Sequence, residues 1–173
     1  MPEIKFLLWD IGGVLLSNAW DRHQRRATMD HFALDWEEFG ERHDLVVSSF
    51  ECGQITLDQY LDHTIFYRSR PFERQVLKDY IFPLSRSNPE VLELARQLAV
   101  KYPMATINNE SRELNLYRIE HYGLRDLFRV FVSSCFVGLP FSPSETHASG
   151  VPSWLVSRSA RTALPAVKKI CSS

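Results

Sequence analysis

The chain has 173 residues, of which 45% are hydrophobic and 24% are charged, as is usual for a globular domain with a sizeable core. Its net charge of −1 gives no basis for a nucleic-acid partner. The three cysteines are widely spaced and contain no CxxC pair, which argues against a zinc site or a disulfide framework. There is no signal-peptide pattern and no apolar run near the ~20 residues of a membrane span, so we expect a cytoplasmic protein without a membrane partner.

The first predicted element is a short strand over residues 4–9. This run is apolar except for Lys5, is too short for a helix and is followed closely by two glycines. A continuous apolar run of this length is typical of a parallel strand buried on both faces. Asp10 then stands at the carboxyl end of the strand, at the start of a glycine-containing loop.

Residues 17–84 are predicted to be a helical insert without a clear strand. Apolar spacing and start signals predict helices over 19–33, 36–50, 56–67 and 71–81. The clearest start signal is the capping box formed by Thr56 and Gln59.

A regular alternation of helices and strands follows the insert. Asn88-Pro89-Glu90 combines a cap, an N1 proline and an acidic first turn, and so predicts a helix start. Strands are predicted over 103–107 and 130–133, with a helix over 111–122 between them. Strand–helix–strand crossings of this length indicate parallel pairing, so the predicted fold class is α/β with a Rossmann-like parallel sheet.

Chemistry is expected at the carboxyl ends of these strands, where open parallel sheets bind ligands. Asp10 ends the first strand, and Asn108 and Asn109 end the second. If the two strands are neighbours, a carboxylate and two amides face one cleft. A carboxylate can attack phosphorus or an activated carbon, and amide donors can hold the oxygens of the group being transferred.

Two motifs resemble those of the haloacid-dehalogenase (HAD) superfamily, in the same order along the chain. FLLWDIGGVLL, residues 6–16, resembles the first motif, an apolar strand that ends in Asp-x-Asp-Gly. INNES, residues 107–111, resembles the second motif, and the helical insert lies where this superfamily carries a type-1 cap. The resemblance spans about residues 4–139 and implies a Rossmann-like core with an inserted helical cap.

The resemblance also implies roles for individual residues. Asp10 matches the catalytic nucleophile and a magnesium ligand, and Gly12 matches the position whose carbonyl oxygen binds magnesium. Asn108 matches the phosphate-binding position, with Asn109 beside it. Backbone N–H groups of the Gly12-Gly13 turn would hold phosphate oxygens.

Trp20 and Asp21 closely follow the first motif and are expected to contact substrate in the cleft between cap and core. The other candidates near the insert are given structural interpretations. The histidines, His43 among them, show no metal-ligand spacing and are predicted to lie at the surface or an interface. Arg22, Arg25 and Arg26 are predicted to form a solvated helix face.

Three departures from the superfamily pattern bear on activity. The acidic residue two positions after the nucleophile, which protonates the leaving group, is replaced by Gly12. The lysine expected after Gly138-Leu139 is absent, because Pro140 and Phe141 follow. The acidic pair of the fourth motif is also missing, so the implied Mg²⁺ site is incomplete.

A change in composition marks a boundary near Leu139. Residues 1–139 carry a net charge of −4, whereas residues 140–173 carry +3, with eight serines, four prolines, no Asp and a single Glu. The predicted domains are a HAD-like core over 1–16 and 85–139, a cap over 17–84, and an atypical tail over 140–173. The tail is expected to be disordered or read in an altered frame, and a sheet left short of strands predicts low solubility or homo-oligomerisation.

The leading functional prediction is a hydrolase that acts as a phosphatase on a small phosphorylated metabolite through an aspartyl-phosphate. One alternative is dehalogenation of a small haloacid, which uses the same aspartate without magnesium. Another is a catalytically inactive remnant or binding protein. The sequence leaves all three open.

Overall fold

The computed structural model describes residues 4–141, which form a parallel sheet with helices around it. The sheet of this part of the chain has three strands in the order β1-β2-β3, with bounds Leu7–Trp9, Met104–Asn108 and Val130–Ser133. Both pairings are parallel, with Trp9 opposite Thr106 and Asn108 opposite Ser133. The α/β class and the parallel sheet are therefore confirmed.

Seven α-helices accompany the sheet over residues 4–141. Their bounds are α1 Arg22–His31, α2 Trp36–Glu51, α3 Leu57–Thr64, α4 Arg74–Ile81, α5 Pro89–Ala99, α6 Arg112–His121 and α7 Ser134–Val137. The first four lie in the helical insert, residues 17–84, which contains no strand among its assigned elements. Helix α6 connects β2 to β3, and α7 follows β3 directly.

Local side-chain hydrogen bonds explain where two of the insert helices begin. The predicted capping box of α3 is present, since Thr56 accepts from the Gln59 N–H and the Thr56 N–H donates to the Gln59 side chain. Helix α1 begins with a second capping box, made by Asp21 and Gln24. The carboxylate of Asp21, which is predicted to contact substrate, accepts a hydrogen bond from the Gln24 N–H at the start of α1.

Two boundaries differ from the prediction in the stretch between α3 and α4. Helix α3 ends at Thr64 instead of about Tyr67, and α4 begins at Arg74 instead of Pro71. Ile65 leaves the helical region with φ −122°, and the Arg70 side chain donates to the Ile65 carbonyl oxygen. The Arg70 side chain therefore supplies the hydrogen bond that the carbonyl group at the end of α3 would otherwise lack.

The molecule has separate apolar clusters in the insert and around the sheet. The insert cluster centres on fully buried Tyr60, Leu61 and Leu77, whereas the sheet cluster includes Ile11 and Leu15. The insert cluster also includes Leu114 of α6, so the apolar core of the insert extends onto a helix of the sheet layer. The insert also contacts the sheet layer through a polar group, because the Ser134 hydroxyl donates to the Glu51 carbonyl oxygen over 2.7 Å.

Apart from Pro140 and Phe141, the predicted tail lies outside the described residues. Within the described sheet, β1 and β3 are the edge strands. Homo-oligomerisation stays a prediction, which size-exclusion chromatography with light scattering would test. Among residues 4–141, no helix has both the length and the apolar character needed to cross a membrane.

Candidate active site

A cavity of about 290 Å³ opens at the carboxyl ends of β1 and β2, between the sheet and the helical insert. Five of the residues predicted to form the site line this cavity: Asp10, Gly12, Trp20, Asp21 and Asn109. The other two, Gly13 and Asn108, are not among its lining residues. The parallel pairing of β1 with β2 is what brings the aspartate and the amide to the same edge of the sheet.

The turn after β1 is shaped by its glycines and by Asn18. Gly13 adopts φ +74°, a left-handed conformation that favours glycine, and the Leu16 N–H donates to the Ile11 carbonyl oxygen over 2.9 Å. A Cβ atom on Gly12 would stand 3.0 Å from the Asn18 side-chain oxygen. Any side chain at position 12, including the acid usual in the HAD motif, would therefore require Asn18 to move.

Two opposing effects act on the Asp10 carboxyl group at this turn. Desolvation raises the pKa of Asp10 above its ordinary value, while the backbone N–H groups of Ile11 and Gly12 and the charge of Arg118 oppose the rise. Desolvation is the larger effect. Asp10 is thus an acceptor with donors beside it, open to the cavity on its other side.

The two asparagines at the end of β2 are engaged in different directions. Asn108 is buried and donates to the Asn115 side-chain oxygen on α6, while its own side-chain oxygen has no hydrogen-bond partner. Asn109 donates to the Phe141 carbonyl oxygen and accepts from the Phe141 N–H, over 2.8 and 2.7 Å. Of the two asparagines at the end of β2, Asn109 is therefore the one that lines the cavity.

A buried ion pair beneath the cavity was not found from the sequence. Arg118 on α6 is only 2% exposed and donates from Nη1 to the Glu110 carboxylate over 2.7 Å. The same guanidinium donates to the Ser85 hydroxyl and to the Ser17 carbonyl oxygen, so it joins α6 to both ends of the insert. Burial raises the pKa of Glu110, and the charge of Arg118 opposes that rise. Ser17 and Ser85 lie 101 and 33 residues from Arg118 in the sequence, and no local sequence pattern links residues at such separations.

The insert side of the cavity corrects two predictions. His43, expected at the surface or an interface, is only 7% exposed and hydrogen-bonds through Nδ1 to the Tyr60 hydroxyl over 2.8 Å. Arg25, expected on a solvated helix face, lines the cavity and donates to the Trp20 carbonyl oxygen. His43 shares the buried face of α2 with Phe39 and Phe50, so its neighbours on the helix carried the signal for burial. Arg25 lies on α1, and only the packing of the insert on the sheet makes its helix face a wall of the cavity.

The donor set around Asp10 is small for a magnesium ion. Mg²⁺ prefers octahedral oxygen coordination, usually with one or two carboxylates. Over residues 4–141, no group of three or more acidic, histidine or cysteine side chains is placed to hold a metal ion. Asp10 and the Gly12 carbonyl do not complete such a site by themselves.

Comparison with known proteins places the fold. No family model matches the chain, and no curated protein matches it. A HAD family enzyme from Bacteroides thetaiotaomicron, solved with magnesium and inorganic phosphate, is similar at a TM-score of 0.66 and 20% identity, over 83% of this chain and 75% of that one. Another structure of this enzyme gives a TM-score of 0.68 at 19% identity, over 87% and 80% of the two chains.

A predicted HAD-like hydrolase from Porphyromonas gingivalis is also similar, at a TM-score of 0.59 and 16% identity, over 82% of this chain and 71% of that one. The TM-scores establish the fold, and at identities this low they establish the fold alone. The chain accordingly has the fold of the HAD-family hydrolases over most of its length, which confirms the resemblance seen in its two motifs.

Proposed function

We propose that this protein is a hydrolase in which Asp10 attacks the phosphorus of a small phosphate monoester. The observation that chiefly supports this proposal is that Asp10 opens into a cavity shared with Gly12 and Asn109 at adjacent parallel strand ends. A similar fold from Bacteroides thetaiotaomicron has been solved with magnesium and inorganic phosphate. In the proposal, Asp10 is the catalytic residue.

The proposed reaction has two steps. An Asp10 carboxylate oxygen bonds to phosphorus while the ester P–O bond breaks, and the leaving oxygen takes a proton from water because position 12 is glycine. Water then attacks the aspartyl-phosphate, which releases inorganic phosphate and regenerates Asp10. Backbone N–H groups of the Gly12-Gly13 turn hold the phosphate oxygens, together with the one Asn109 side-chain N–H that is not bonded to Phe141.

Asn108 is assigned a supporting role in the proposal. Its hydrogen bond to Asn115 fixes the end of β2 against α6 and so orients the Asn109 backbone. Magnesium would supply charge neutralisation, with Asp10 and Gly12 as ligands, but the described residues do not complete its coordination. No step above passes through the metal.

The helical insert acts as a cap in this proposal. It supplies Trp20 and Asp21 to the cavity and limits access of bulk water to the reacting groups. The substrate is accordingly a small molecule.

Dehalogenation of a small haloacid is the second candidate function. It is favoured by the sparse donor set around Asp10, since attack on carbon needs no magnesium. A binding protein without turnover is the third.

One experiment separates these functions. Wild type and Asp10→Asn are assayed for phosphate release from phosphate monoesters and for halide release from 2-haloacids, each with and without magnesium. Phosphate release that Asp10→Asn abolishes supports the phosphatase, and magnesium-independent halide release supports the dehalogenase. No product from either protein would contradict both catalytic proposals.

A further inference from the structure

The wall of the cavity formed by the helical insert carries a cation that the proposed chemistry does not use. Arg25 lines the cavity, and its Nη1 donates to the Trp20 carbonyl oxygen, which fixes the direction of the side chain. Its Nε is buried and has no hydrogen-bond partner among the described residues. Among the described residues the guanidinium thus makes one hydrogen bond, to the Trp20 carbonyl oxygen, and keeps unpaired N–H donors for a bound group.

No carboxylate of the described residues satisfies Arg25. Asp21 and Glu51 line the same cavity, but neither is within ion-pair distance of the guanidinium. The Asp21 carboxylate caps α1 by accepting from the Gln24 N–H. Burial raises the pKa of Glu51 and the charge of Arg25 opposes that rise, so the two groups attract each other without a direct hydrogen bond.

His43 adds a second donor beside Arg25. The Tyr60 hydroxyl is fully buried, accepts from the Trp20 ring N–H over 3.0 Å and contacts His43 Nδ1 over 2.8 Å. The hydroxyl proton is satisfied only if His43 Nδ1 accepts it, which places the imidazole proton on Nε2. His43 is thus held as a neutral N–H donor in the wall of the cavity, consistent with burial lowering its pKa to about 4.

These donors stand apart from the nucleophile. Arg25 lies on α1 and His43 on α2, both in the helical insert, whereas Asp10 follows β1 on the sheet side of the cavity. A substrate group bound by Arg25 therefore lies on the insert side of the cavity, across from the phosphorus that Asp10 would attack. An anion is the group that a guanidinium and a neutral N–H donor bind best.

We infer that Arg25 and His43 form a second subsite that binds a carboxylate on the leaving group of the substrate. This inference rests on the proposed function and specifies its substrate class as phosphorylated carboxylic acids. Arg25 is the specificity-determining residue, because it supplies the charge, and His43 supplies a directed hydrogen bond. Trp20 and Tyr60 are positioning residues that set the tautomer of His43.

The test uses two ligands that cannot be hydrolysed and that differ by one carboxylate. Binding of 3-phosphonopropionate and of propylphosphonate to the full chain is measured by titration calorimetry. The wild type should bind 3-phosphonopropionate about tenfold more tightly, as expected for one charge-assisted contact. Arg25→Gln should reduce this preference to within about twofold, and Arg25→Lys should retain part of it.

Arg26→Gln is the matched control, because Arg26 lies next to Arg25 on α1 but is exposed and pairs with Asp30. It should keep the full preference of the wild type. Thermal unfolding of each variant shows whether the fold is retained. The Arg25→Lys variant guards against a loss of binding that reflects only a weakened Trp20 contact.

The outcomes separate this inference from the proposed function. Equal binding of the two phosphonates by wild type, binding of neither, or a preference that survives in Arg25→Gln would overturn the subsite. Equal binding with Asp10-dependent phosphate release would leave the phosphatase standing without the subsite. A carboxylate preference that depends on Arg25, in a protein that releases no phosphate, would support the subsite and contradict the phosphatase.

Discussion

Among the glycines of residues 4–141, Gly53 is the one at which an added Cβ atom would make the closest contact. It follows α2 with φ +67°, and a Cβ atom there would stand 2.5 Å from the carbonyl oxygen of Cys135, at the start of α7. This oxygen also accepts from the Arg112 side chain over 2.9 Å. Because the contacting atom belongs to the backbone and is held by a hydrogen bond, it cannot move without shifting α7.

The cost of Gly53→Ala has two parts. A left-handed conformation costs a non-glycine residue about 1–2 kcal/mol. Relieving an overlap against packed backbone costs about 1–3 kcal/mol more. The expected loss in the free energy of unfolding is therefore about 2–5 kcal/mol, a large part of the ~5–15 kcal/mol of a typical domain.

Urea denaturation followed by circular dichroism measures this loss, with the slope of the transition as a check on the denatured state. Gly53→Asn separates the two parts, since Asn tolerates the left-handed conformation but still carries the Cβ atom. It should recover only the first part. The matched control is Gly40→Ala within α2, where a Cβ atom meets nothing within 4 Å, and a gain of about 0.5–1 kcal/mol is expected. Substitutions at neutral surface positions usually change the free energy of unfolding by no more than about 0.5 kcal/mol. A Gly53→Ala variant whose free energy of unfolding lies within that range of wild type would refute this reasoning.

Three further predictions follow from the buried groups at the cavity. His43 takes up a proton near pH 4 when folded but near 6.5 when unfolded, so its own contribution to the free energy of unfolding should fall by about 3 kcal/mol between pH 7 and 4. Urea titrations should show this part of the pH dependence lost in His43→Gln and kept in the exposed control His23→Gln. Equal pH dependence in all three proteins would contradict it. Arg118→Met leaves the Glu110 carboxyl group buried without its cation and should lower the free energy of unfolding by about 3–5 kcal/mol in the same assay. Adding Glu110→Gln should recover part of this loss. A loss below ~1 kcal/mol for Arg118→Met would show that this ion pair does not stabilise the packing of α6 on the insert. Magnesium at 10 mM should raise the free energy of unfolding by less than ~0.4 kcal/mol, because a site with Asp10 as its single carboxylate binds the ion weakly. A larger rise that Asp10→Asn abolishes would reveal a complete metal site.

The sequence alone determined the order of the three strands and of the helices from α1 to α6, whereas α7 was not predicted. The apolar run before Asp10 predicted β1, and the Thr56 and Gln59 pair predicted the start of α3 to the residue. These features depend on side chains three or four residues apart, or on the continuous apolarity of a few residues, so the local sequence is sufficient. The parallel direction of the strands followed from the lengths of the crossings. That β1 and β2 are neighbours was left open by the sequence and is given by the structure.

Only the tertiary structure decided what surrounds the Asp10 carboxyl group. The Arg118 bond to the Ser17 carbonyl oxygen joins residues 101 positions apart, and the Trp20 contact with Tyr60 joins residues 40 apart. Contacts of this kind depend on how the insert packs on the sheet, and no local pattern encodes that packing. Arg25 shows the consequence, because its helix face has the spacing of a solvated surface and becomes the wall of a cavity once the sheet lies opposite.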